Sequence, residues 1–125
     1  MHPSAVIAHA WVEAANAQDA DSLTALSSSE IEIVGPRGTA RGIAVLCGWL
    51  LRAGLTLETT RTFTGDSHTV MAHRGTWRTP DTTAVSVADV ASAFHIQNGR
   101  VARYQRFDDL QTALTSVGLD ESHEI

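Results

Sequence analysis

At 125 residues the chain is long enough for one domain with its own buried core, and its 43% apolar and 18% charged content is that of an ordinary globular protein. A net charge of −5 offers no basic face to a phosphate backbone, which argues against nucleic acid as a partner. The single cysteine, Cys47, excludes an internal disulfide and any cysteine-based zinc site, and its apolar helical setting suits a small buried side chain better than a nucleophile.

The opening "MHPSAVIAHAWVEAANA" has no positive start and is interrupted by Glu13, so no signal peptide is expected. No run approaches roughly 18 apolar residues, so no membrane span is expected either; the expected location is cytoplasmic. In residues 4–17, Val6, Ile7, Ala10, Trp11 and Ala14 recur at helical spacing. Asp19 or Asp21 can cap a short second helix carrying Leu23 and Leu26. "EIEIV", residues 30–34, alternates as a strand and stops at Gly35-Pro36 and Gly38. Alternation puts Glu30 and Glu32 opposite Ile31 and Ile33, on a solvated face. A third helix takes residues 43–53, with Gly54 placed to end it.

From Leu55 the pattern is β, with turns at Gly65-Asp66 and Thr79-Pro80-Asp81, a long strand through "VSVADVASAFHI", and a return through "RVARYQRF". A short last helix is predicted over 110–116. The domain reading is a single unit over 1–118 and an acidic tail over 119–125. Helices first and an antiparallel sheet after is an α+β layout.

The stretch "WVEAANAQDADSLTALSSSEIEIVGPRG", residues 11–38, resembles the opening of the nuclear transport factor two superfamily, which includes ketosteroid isomerases, limonene-epoxide hydrolases and polyketide cyclases of the SnoaL type. "FHIQNGRV" resembles that family's phenylalanine-rich hairpin. The resemblance implies a curved antiparallel sheet wrapped around three N-terminal helices, forming a cone-shaped barrel with an internal pocket, and often a homodimer. Val85, Val87, Ala91 and Ala93, small and apolar on the expected outer face, suit a dimer contact, and helix packing is the alternative cover.

The hairpin at Asn98-Gly99 decides which side chains face the pocket. A two-residue turn pairs Gln97 with Arg100 and puts Tyr104 on the face of Ala91 and Ala93. A bulged turn pairs Ile96 with Arg100 and puts Tyr104 beside Ser92, on the face of Phe94 and Ile96. Family hairpins resemble the second, which points Tyr104, Arg106 and Asp108 inward and leaves Phe107 to pack outside. On the preceding strand Met71, His73, Gly75 and Trp77 share one face, so His73 is expected among apolar side chains, as a core histidine or a functional one.

An inward carboxylate beside an imidazole can do acid–base work, and Arg106 can keep it ionised. The expected catalytic pair is therefore Asp108 and His73, with Trp11, Trp49, Trp77, Ser92, Phe94, Tyr104 and Arg106 lining the substrate site. The alternative for Asp108 is a salt bridge at the mouth of the cone or a cap on the last helix. Polyketide cyclases of the family carry an aspartate near the end of this strand, and Asp108 is its counterpart. The isomerases' aspartate position is Gly35 here, their first-helix tyrosine is Trp11, and a carboxylate position of the epoxide hydrolases is Arg106. The histidines have no helical i, i+4 pair, and no glycine-rich phosphate loop occurs, so neither metal nor cofactor is expected. The function expected is binding of a small hydrophobic carbonyl or ring compound, with acid–base catalysis. The alternative is a non-catalytic ligand-binding or dimerisation module that kept the cone and lost the chemistry.

Overall fold

The structure is a computed structural model that describes residues 3–35, 38–53, 55–78 and 85–125; the side chains of 49–53, 55, 77, 78 and 85 lie outside that description. The elements are α1 (Pro3–Asn16), α2 (Ala20–Ala25), β1 (Ser27–Gly35), β2 (Gly38–Arg41), α3 (Ile43–Ala53), β3 (Leu55–Thr64), β4 (His68–Arg78), β5 (Val85–Gln97), β6 (Arg100–Phe107), α4 (Leu110–Ser116) and a 3₁₀ turn at Glu121–His123. The helices form where the apolar periodicity places them. Asp19 caps α2 by accepting from the Ser22 N–H at 3.1 Å. The strand β2 is absent from the sequence reading, because Gly35 pairs with Gly38 where a simple stop was expected.

The six strands form one sheet in the order β2-β1-β6-β5-β4-β3. It is curved but not closed, with β2 and β3 as its edges. One pair, β1 with β6, is parallel. These strands are far apart in the chain and need no hairpin, so nothing forces the antiparallel sense between them.

The concave face holds the main core: Trp11, Val12 and Ala15 of α1, Leu46 of α3, and Met71, Phe94 and Tyr104 of the sheet. The polar side chain of Asn16 fixes α1 to the edge strand, donating to the Leu57 carbonyl at 2.8 Å and accepting from the Leu57 N–H at 2.9 Å. The convex face carries a second cluster, in which α4 lays Ala113 and Leu114 over Val70, Ala91 and Ala93, with Phe107 beside them. Ala91 and Ala93 are therefore covered by α4 within the same chain, and the expected outer contact keeps only Val87 open, at 55% exposure; the side chain of Val85 is outside the described residues. The residues after α4 return to the β3 edge, where the Ile125 N–H donates to the Thr62 carbonyl at 3.0 Å and Arg61 pairs with Glu121 and Glu124.

Candidate functional site

The hairpin corrects the expected register and keeps most of its consequence. Asn98 and Gly99 both have positive φ, 54° and 75°, the backbone of a tight two-residue turn, and Gln97 pairs with Arg100. Ile96 consequently faces Val101, not Arg100. A bulge then inserts Ala102 between Val101 and Arg103, and the register moves by one. Tyr104 ends opposite Phe94 and Arg106 opposite Ser92. The turn geometry belonged to one alternative and the facing of Tyr104 to the other, because the bulge sits inside the strand rather than at its turn.

The inward trio is a pair. β6 ends at Phe107, so alternation does not extend to Asp108, which lies exposed in the bend before α4. Asp109, not Asp108, caps α4, accepting from the Thr112 N–H at 2.8 Å. Asp108 and His73 do line a common cleft of about 340 Å³, together with Thr60, Ala72, Asp89 and Leu110. No hydrogen bond joins the two among the described residues.

His73 is 1% exposed on the concave face, opposite Thr59 and Val90. Its Nδ1 lies 3.2 Å from the Thr59 hydroxyl, which also points at the Met71 sulfur at 3.8 Å. Its Nε2 is buried without a hydrogen-bond partner among the described residues. Burial, with a smaller contribution from His9, pulls the imidazole down to about pKa 4, so it is neutral at pH 7. If the Thr59 hydroxyl donates to the sulfur, Nδ1–H donates to Thr59 and Nε2 carries a free lone pair; otherwise Nε2 carries the proton. Either form leaves one unmet polar atom in an apolar surround.

One step along the sheet, Ser92 is fully buried and donates to the Tyr104 hydroxyl at 3.1 Å. Burial raises the Tyr104 phenol above its ordinary value, while the Ser92 bond and the charge of Arg106 pull the other way. Tyr104 stacks on Trp11 with ring centroids 4.7 Å apart, and Phe94 meets Trp11 edge-on at 5.5 Å. The Trp11 indole N–H donates to the Ser27 hydroxyl at 2.9 Å, which itself donates to the Leu23 carbonyl at 2.7 Å. The Trp11 donor is thus already used within the chain. The side chains of Trp49 and Trp77 lie outside the described residues.

Sequence reasoning missed Thr59 and Ser27. Thr59 is opposite His73 only because Thr60 bulges out of β3 and shifts the pairing beyond it, and a bulge in a threonine-rich run leaves no mark in the sequence. Ser27 begins β1 three residues before the alternating stretch that announces the strand. Among the described residues, no three histidine, cysteine, aspartate or glutamate side chains are grouped to hold a metal ion, and no helix is long and apolar enough to cross a membrane.

The family model for the SnoaL-like domain matches residues 8–104. Among solved structures, the chain is similar to TerC co-crystallised with polyporic acid (TM-score 0.76, 15% identity, covering 91% of this chain and 96% of that one). It is also similar to a protein of ketosteroid isomerase-like fold from Catenulispora acidiphila in complex with trimethylamine (TM-score 0.73, 17% identity, 91% and 93% covered). A third is a polyketide cyclase candidate from Xanthomonas campestris (TM-score 0.74, 18% identity, 92% and 96% covered). No curated protein matches the chain.

Proposed function

This chain belongs to the SnoaL-like family, and we propose that its concave face binds a small, largely apolar carbonyl or ring compound on which His73 does acid–base chemistry. The observation that carries the reading is the buried Nε2 of His73, a polar atom without a partner on a face otherwise built of aromatic and aliphatic side chains. Leaving such an atom unmet costs roughly 1–3 kcal/mol, a cost that a ligand hydroxyl or carbonyl would offset. Solved structures of this fold with polyporic acid and with trimethylamine support a ligand role for the fold. The neighbouring polyketide cyclase candidate supports carbonyl chemistry.

In this reading a neutral His73 accepts a proton from carbon next to the carbonyl, through Nε2. The charge of Arg106, in the row of Ser92 and beside Tyr104, favours the enolate oxygen that results. Trp11, Phe94 and Tyr104 exclude water around the ring. Asp108, exposed and unbonded to His73, is retained only as a residue of the shared cleft, and Asp108→Ala is expected to matter less than His73→Gln.

β-Tetralone is a suitable probe, since it is apolar, cyclic and weakly acidic next to its carbonyl. Proton NMR in deuterated buffer follows exchange of those protons. The wild type should exceed the buffer rate, and His73→Gln should return to it. Saturable quenching of tryptophan fluorescence without faster exchange would favour a non-catalytic binding module, a reading supported by the committed Trp11 donor and the outlying Asp108. No binding at millimolar probe would remove both.

A further inference from the structure

On the convex face, the residues opposite one another on successive strands form a row of basic groups. His68 of β4 pairs with His95 of β5, and His95 pairs with Arg103 of β6. The two imidazoles lie nearly parallel, 11° apart with centroids at 4.7 Å. With Gln105 of β6 and Ser116 and Val117 at the end of α4, they line a cleft of about 180 Å³. No carboxylate of the described residues lines it. The nearest acid along the row, Glu32 of β1, is shared between Arg41 at 2.8 Å and Arg103 at 3.3 Å, so it offsets only part of the Arg103 charge.

The hydrogen-bond ledger of this cleft is one-sided. Gln105 Oε1 accepts from Arg103 at 3.2 Å, and the His68 Nδ1 meets the Ser67 hydroxyl at 3.2 Å. Ser116 spends its proton on the Ala113 carbonyl at 2.7 Å. The His95 ring makes no hydrogen bond to another described residue, while its backbone is part of the sheet. The groups left to a ligand are thus the Gln105 amide N–H, the Nε2 of His68, both nitrogens of His95 and the guanidinium edge, which are donors once the imidazoles are protonated.

The geometry points to a second ligand site here, on the opposite side of the sheet from the concave one, that binds a small oxyanion such as a phosphate or carboxylate group. Two stacked imidazoles beside an arginine repel when charged, and an anion between the Gln105 amide and the rings removes that repulsion. Binding is therefore linked to protonation and strengthens as pH falls. The charged and titratable groups involved are His68, His95, Arg103 and, one strand further, Glu32; α4 contributes Ser116 and Val117 and no charge.

The test is a titration of isotopically labelled protein, following the ring C–H resonances of all histidines by NMR, with inorganic phosphate and separately with succinate, at about pH 5.5 and about pH 7.5. His68 and His95 should shift saturably, at least about tenfold more tightly at the lower pH, while the outlying His123 does not move. Saturation by phosphate alone, succinate alone or both supports the site and identifies the source of the oxyanion. His95→Gln, which keeps a polar side chain without the charge, should weaken binding by about tenfold or more. If that variant is unfolded by circular dichroism, Arg103→Gln serves in its place with the same expectation. Shifts that are linear, absent, shared by His123 or insensitive to the folded variant would overturn the proposal.

Discussion

His73 sits where two demands on one side chain conflict. Its burial stabilises the core by filling space beside Met71, and the same burial makes its charged form unfavourable. The folded imidazole titrates near pH 4 and the unfolded one near 6.5, so the unfolded chain binds the extra proton first as pH falls. Stability is then fully present above pH 6.5 and is lost progressively toward pH 4, by about 3 kcal/mol in all from this residue. Urea unfolding between pH 7 and 4 should show that slope, and His73→Leu should flatten it while removing the bond to Thr59. An equal slope in the variant would assign the acid sensitivity to other groups, His68 first, whose imidazole is also pulled down by burial. The burial of His73 was legible in the sequence from its place between Met71 and Gly75 on an alternating strand. Its single bond to Thr59 was not, since that contact depends on a bulge in another strand.

At the scale of elements, α4 gives the convex face its cover. Leu114 is 1% exposed over Val70 and the two alanines of β5, and small residues there let the helix approach closely. Leu114→Ala should cost about 2–5 kcal/mol, measured by denaturant unfolding, because the helix is held at both ends and cannot collapse into the gap. Asp109→Ala should also destabilise, by loss of the α4 cap, and Asp108→Ala should not. Ala91→Arg belongs here too: Ala91 is fully buried, so an arginine would lift α4 off the sheet and lower stability whatever the oligomeric state. The helix over 110–116 was legible from its aspartate and leucine pattern; the face it would cover was not, since an alanine-and-valine strand face suits a helix or a second subunit equally well.

For the whole molecule, a homodimer is a proposal, and the open surface left to carry it is the first half of β5, where Ser86 to Asp89 are exposed. Sedimentation equilibrium at micromolar concentration should report a dimer. Val87→Arg should weaken it with little loss of stability, since Val87 is 55% exposed in the monomer. A monomeric wild type would remove the idea.

The sequence by itself determined the order of elements apart from β2 and the closing 3₁₀ turn, the helix-first layout, the two faces of β4 and the family, because periodicity and turn residues act over a few positions and need no distant partner. Only the tertiary structure decided that Asp108 lies outside, that Trp11 gives its N–H to Ser27, and that Ala91 lies under α4. It also joined β1 to β6 in parallel and set His68, His95 and Arg103 in one row across three strands. Each of these depends on register, and one extra residue, such as Ala102 in β6 or Thr60 in β3, turns every later side chain to the other face. Such a bulge is fixed by the strand across from it and by the core it serves, so its position is a property of the folded sheet rather than of the segment that contains it.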